Sequence, residues 1–241
     1  MNILTFQSEN ELHEVGAGII TGIVQTNPTA VLGLATGGTP IGIYEQMVRT
    51  YKRGLVSFRK VTTFNLDEYV GLPYGHPESY RHYMQTHLFN HVDIVPEQTH
   101  IPAGDSADPA AECRQYDELI KQAGQFDVQI LGLGHNGHIG FNEPAHALLA
   151  ATHIIELAPE TRAANARYFS SEDEVPSRAI TMGVGTILKA KMIVLLVKGE
   201  DKAQMVSRAL TGTISTDCPA SLLQTHPNLT VLVDRFAGKY L

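Results

Sequence analysis

Runs of apolar residues at 30–35 (AVLGLA), 126–133 (FDVQILGL) and 192–197 (MIVLLV) constrain this chain more than any other feature. A strand with one face in water alternates apolar and polar residues. These runs hardly alternate, so both faces of each strand must be covered, as in a mostly parallel sheet with helices on either side. Helix-like segments separate the runs. Ser8 and Glu11 predict a capping box at the start of the first helix. Pro40 suits the first residue of a helix running to about Arg53. Further helices are expected at 78–89, 108–123 (closed by Gly124), 161–169, 184–190 and 201–210. Further strands are expected at 2–6, 61–66 and 229–233. No repeat or long linker interrupts the pattern. The expectation is a single-domain αβα sandwich over 1–241 with a mostly parallel open sheet. Its least regular stretch, 145–180, leaves room for a lid or a small subdomain.

Length and charge narrow the function classes. A chain of 241 residues can bury a sizeable core. A net charge of −7 argues against a broad nucleic-acid surface. No apolar run approaches the roughly 20 residues of a membrane span. The opening MNILTFQSENEL lacks the basic-then-apolar pattern of a secretory signal, so a cytoplasmic protein is expected. Cys113 and Cys218 form no metal-ligand pattern, and two reduced thiols fit that compartment.

Two turns carry the chemistry. The run at 126–133 ends in LGLGHNGHIGFNEP (131–144), which presents Asn136, His138, Asn142 and Glu143 within eight positions. Histidine and carboxylate are the side chains most used for proton transfer near neutral pH. A polar turn after a buried strand is where an open α/β sheet places its ligand. The plainer alternative is a glycine-rich connection with a solvated histidine. His135 and His138 are too poorly supported by further ligands for a closed metal site.

The second turn, Thr36-Gly37-Gly38-Thr39-Pro40, lies between a strand and a helix. Backbone N–H groups and the helix dipole favour an anion there. It matches neither dinucleotide nor P-loop patterns, so a compact phosphate on a small molecule fits better. A plain tight turn would use the same glycines. Arg167 and Lys202 are candidate phosphate cations, or ordinary solvated charges. Asp67, just after VTTFNL, faces either the ligand crevice or a helix start. Tyr80 and His76, in HPESY, either help shape the pocket or pack, packing being the favoured reading.

Taken together, these segments resemble the glucosamine-6-phosphate deaminase family. The matching pieces are LATGGTP (34–40), FNLDEYVGL (64–72), HPESY (76–80), GHNGHIGFNEP (134–144), TRAANARYF (161–169) and AITMGVGTILKA (179–190), in one order along the chain. The fold is shared with 6-phosphogluconolactonases and is a modified Rossmann-like arrangement. FNLDEY with NGHIGFNEP resembles the deaminase branch. The resemblance implies that glucosamine 6-phosphate and water become fructose 6-phosphate and ammonia, without metal or redox cofactor. It implies Thr36, Gly37, Gly38, Thr39, Arg167 and Lys202 as phosphate contacts and Gly137 as a sugar contact. His138 would open the ring, Asp67 would move a proton between C2 and C1, and Glu143 would hold His138. The resemblance also implies a helical lid at about 145–175.

Departures from the family pattern carry their own expectations. Many relatives have Asp at the position of Asn136, so here Asn136 is expected to orient by hydrogen bonding. The allosteric, hexameric members extend beyond the position of Leu241 and are basic where this chain has His146, His153 and Ile155. That implies a monomer or small homo-oligomer without activation by N-acetylglucosamine 6-phosphate. The alternatives are a phosphosugar lactonase on the same fold, which needs no C2 base, and a sugar-phosphate sensor. A sensor needs no acid–base groups, and the chain has no spare length for a DNA-binding helix pair.

Overall fold

The apolar runs form the middle of a parallel sheet. The computed structural model describes the backbone of residues 1–241 and every side chain except that of Glu172. In chain order the elements are β1 (Asn2–Phe6), α1 (Glu9–Thr26), β2 (Val31–Leu34), α2 (Ile41–Lys52), β3 (Thr62–Asn65), β4 (Asp67–Tyr69) and α3 (Tyr80–His87). They continue with β5 (Thr99–His100), α4 (Pro109–Ala123), β6 (Val128–Gly132), β7 (His153–Glu156), α5 (Pro159–Asn165), β8 (Arg178–Thr181), α6 (Val184–Ile187), β9 (Ile193–Val197), α7 (Ala203–Thr211) and β10 (Leu229–Asp234). Seven strands pair in parallel in the order β1-β10-β9-β6-β2-β3-β5. β9 and β10 are buried at every residue, as continuous apolar runs require.

Local signals set most boundaries. The capping box forms: the Ser8 hydroxyl accepts from the Glu11 amide at 3.3 Å, and the Glu11 carboxylate accepts from the Ser8 amide at 3.3 Å. Asp108 caps α4 through the Ala111 amide at 2.9 Å, and Gly124 ends it at φ 88°. Pro40 lies just outside α2 rather than inside it. The helices predicted at 161–169 and 184–190 are shorter. α5 tightens into a 3₁₀ turn over Ala166–Tyr168, and α6 is a four-residue helix.

The larger difference is a second sheet. β4, β8 and β7 form an antiparallel three-stranded sheet that the sequence pattern does not predict. Segment 145–175 is therefore not wholly helical, because β7 lies inside it. β4 is Asp-Glu-Tyr and β7 and β8 are four residues each, too short and too polar to display a strand period.

The strand order places the site. From β2 the chain moves to β3 and β5 on one side, then returns through α4 to β6 on the other side of β2. The connections after β2 and β6 thus diverge at a topological switch point, and a crevice opens at their carboxyl ends. Both glycine-rich turns stand there. The ends of β3 and β9 flank it, bringing Asp67 on one side and Lys202 on the other.

Candidate active site

At the end of β2 the chain turns through Gly37 at φ 92°, a conformation glycine supports without strain. Two tyrosines brace this turn from behind. The Tyr83 hydroxyl donates to the Gly37 carbonyl at 2.6 Å, and the Tyr44 hydroxyl donates to the Ala35 carbonyl at 2.5 Å. The amides of Thr36, Gly37, Gly38 and Thr39 donate to no acceptor among the described residues. They stand ahead of the first turn of α2 as an anion cradle. Across from them, a Cβ on Gly38 would lie 3.4 Å from the Tyr168 hydroxyl and 4.0 Å from an Arg167 nitrogen. Arg167 lies over the Tyr168 ring at 4.8 Å and donates to its hydroxyl at 2.9 Å. Burial, with the charge of Arg167, pushes the Lys202 ammonium down to about 8 against the pull of Asp201. Arg167 and Lys202 both line the cleft.

After β6 the chain forms a second tight turn with Gly137 at φ 89° and Gly140 at φ 57°. The Asn136 amide nitrogen lies 2.6 Å from Glu143 Oε2, and a carboxylate only accepts, so the amide nitrogen is the donor. That fixes the amide, and Asn136 Oδ1 faces His138 Nδ1 at 2.7 Å and the His138 backbone amide at 3.2 Å. Nδ1 must therefore carry the proton, which leaves Nε2 as the ring's acceptor. Glu143 Oε2 is also 3.3 Å from Nδ1. Its other oxygen, Oε1, accepts from the Thr161 hydroxyl at 2.5 Å. Burial pushes the Glu143 carboxyl up, but the bond and charge of His138, with Thr161 and Asn136, outweigh it and hold the group at about 2. Gly134 lets the ring lie flat on the turn, since a Cβ there would be 2.3 Å from His138 Cε1.

Asp67 arrives on the second sheet, opposite Thr181 of β8. Thr181 also receives the Phe141 amide at 3.1 Å, and Asn142 donates to the Ile139 and Met182 carbonyls at 2.9 Å each. β8 thus pins the histidine loop beside the carboxylate. A Cβ on Gly140 would lie 3.5 Å from Asp67 Oδ2. Burial first, and then the neighbouring Glu68 charge, push the Asp67 carboxyl up to about 8. Glu68 itself accepts the amides of Tyr69, Tyr80 and Arg81 at 2.9–3.0 Å, tying β4 to the start of α3.

Thr36, Gly37, Gly38, Thr39, Asp67, Asn136, His138, Arg167 and Lys202 all line one cleft of about 940 Å³. Glu143 lies behind this wall and reaches the cleft through Asn136 and His138. Gly137 stands beside this lining rather than in it. Its amide donates to the Gly134 carbonyl, its carbonyl accepts from Ala220, and its Cα faces Cys218 and Met205. Its glycine serves the turn. Tyr80 lines the cleft besides packing on Tyr69 and Phe141, so packing was only part of its place. Thr161 and Thr181 lie in segments that carry the resemblance, but their contacts, like that of Tyr83, are with partners distant in the chain and are not legible locally.

Fold and cleft define an open-sheet α/β protein in which an anion-binding turn faces a histidine–carboxylate pair and a second, buried carboxylate. The family model described as glucosamine-6-phosphate isomerases/6-phosphogluconolactonase matches residues 8–232, and the chain belongs to that family. It is 50% identical over 237 residues to a glucosamine-6-phosphate deaminase from Geobacillus sp. strain WCH70, covering 98% of this chain and 94% of that one. A solved monomeric glucosamine-6-phosphate deaminase superposes with a TM-score of 0.97 at 47% identity, covering both chains fully. The 6-phosphogluconolactonase of Thermotoga maritima superposes at 0.77 with 18% identity over 96% of this chain and 97% of that one, a likeness of fold alone.

Proposed function

We propose that this chain converts glucosamine 6-phosphate and water into fructose 6-phosphate and ammonia. One observation carries the reading: the Asp67 carboxyl of β4 and His138, backed by Glu143, line the same cleft as the anion turn. A lactonase needs no second carboxylate there. The phosphate binds the 36–39 amides with Arg167 and Lys202, as charge-assisted bonds. His138 Nε2 takes the O1 proton and returns one to O5 as the ring opens. Asp67 then removes the C2 proton, the released pair forms the C1–C2 double bond, and the C1=O pair moves onto O1, which takes up the proton given off by the C2 ammonium, giving an enolamine. Asp67 returns a proton to C1, which leaves a C2 imine. Water adds to that imine, the C2–N bond breaks, and ammonia leaves with a ketone at C2.

Segment 145–175, carrying Thr161, Arg167 and Tyr168, serves as the lid that excludes water during proton transfer. The chain works in the cytoplasm as a monomer or small homo-oligomer, without activation by N-acetylglucosamine 6-phosphate. Monomeric behaviour of a 47% identical relative supports the first of these assembly readings. The test is to incubate the purified protein with glucosamine 6-phosphate and measure ammonia and fructose 6-phosphate together, beside Asp67→Asn. Equal release of both, lost in the variant, is the expected result. No release by folded protein, with turnover of 6-phosphogluconolactone instead, overturns it.

A further inference from the structure

We infer that Thr161 is a positioning residue that makes the His138–Glu143 pair depend on the seating of the phosphate-binding segment. This rests on the proposed deaminase reading. Thr161 lies in the first turn of α5 and is 6% exposed. A threonine inside a helix usually returns its hydroxyl to a carbonyl of its own helix. This one instead crosses to the loop after β6 and donates to Glu143 Oε1 at 2.5 Å. α5 has no side-chain cap at its N-terminus, so the bond to Glu143 is a polar tie from that end of the segment into the body of the protein.

The other end of the segment meets the anion turn. Arg167 and Tyr168, in the 3₁₀ turn continuing α5, face Gly38 across the cleft. Residues 159–168 therefore touch the phosphate site at one end and the acid–base carboxylate at the other. Oε2 of Glu143 is committed to Asn136 and His138, so Thr161 sets the rotation of the carboxylate about its own axis. A phosphate held by Arg167 holds the segment, the segment holds Thr161, and Thr161 holds Glu143 in line with His138 Nδ1. A sugar without phosphate leaves this chain of contacts unloaded.

The test compares Thr161→Val, which keeps the shape and loses the hydroxyl, with Thr161→Ser, which keeps the hydroxyl. Wild-type turnover of glucosamine 6-phosphate is measured first, and its absence overturns the deaminase reading together with this inference. With wild type active, the valine variant should lose about ten- to a hundredfold in kcat, the weight of one charge-assisted hydrogen bond. Its KM should change less than about threefold, because the phosphate contacts remain. Its pH profile above about pH 5 should keep the wild-type shape, because Glu143, held at about 2, stays ionised there. Serine should restore kcat. A valine variant with wild-type kcat overturns the inference alone. So does a serine variant as impaired as valine, which would assign Thr161 to packing.

Discussion

Replacing Asp67 by Asn should sharply reduce turnover and stabilise the fold, and the stabilisation should grow with pH. The ordinary carboxyl value of 3.8 is raised to about 8 in the folded protein. Between those values the unfolded chain ionises Asp67 while the native protein keeps the proton. The native state therefore binds more protons, and stability falls as pH rises through this window. One proton is worth about 1.4 kcal/mol per pH unit, so by pH 7 the accumulated cost approaches roughly 4 kcal/mol. Water in the cleft hydrates one side of the carboxyl, which brings the expected gain to about 1–3 kcal/mol. Asparagine has nearly the same shape and no ionisation, so it removes the cost. Urea unfolding at pH 4.5, 6 and 7.5, for wild type and variant with equal m values, measures it. The midpoints should nearly coincide at the lowest pH and separate steadily above it. A constant difference, or a variant less stable at pH 7.5, would refute the burial argument. Activity should fall by about 10²–10⁴-fold, the usual share of one general base.

Three further predictions accompany this one. kcat/KM for glucosamine 6-phosphate should peak near pH 8: Asp67 must lose its proton on the rising limb, and Lys202 loses its charge on the falling one. Lys202→Met should raise KM and remove the falling limb, as read in a pH series. Gly134→Ala puts a Cβ 2.3 Å from His138 Cε1 and should cut kcat by about tenfold or more, with KM for the phosphosugar little changed. Asn136→Asp sets a second carboxylate where the amide donated to Glu143 at 2.6 Å, so the pair must retain a proton. Turnover should survive with a displaced acid limb; a strong rise in rate with an unmoved profile would contradict the orienting role of Asn136.

The sequence carries what local geometry decides. Two strand–turn units announce themselves because a buried run must end somewhere and glycines mark how it turns. The parallel sheet follows from the same runs, and its switch point explains why two turns 100 residues apart share a cleft. The second sheet is hidden because β4 is Asp-Glu-Tyr, polar residues buried against partners rather than an apolar strip. Asp67 reads from sequence as a residue just past a strand. Its closeness to His138 depends on pairing with Thr181, more than a hundred positions on. Gly137 shows what a motif glycine does for the turn itself: its positive φ and its packing on Cys218 leave no room for a side chain.

The two extreme pKa directions at the cleft have a common consequence for selectivity. Asp67 is held toward its neutral form by burial, and Lys202 toward its neutral form by burial and Arg167. At pH 7 Lys202, at about 8, is still mostly charged, and a phosphate holds it so at higher pH. Asp67 is mostly neutral there, and an ammonium at C2 favours the carboxylate that the C2 chemistry requires. A sugar phosphate lacking the amine leaves Asp67 protonated and the base disarmed. Proton counting by calorimetry in buffers of different ionisation enthalpy tests this with an open-chain amino-alditol 6-phosphate, which cannot isomerise. At pH 7 its binding should release about one proton from Asp67. The release should vanish in Asp67→Asn and with the same alditol lacking the amine. Equal release from both alditols by the wild type would show that phosphate, not the amine, sets the state of the base.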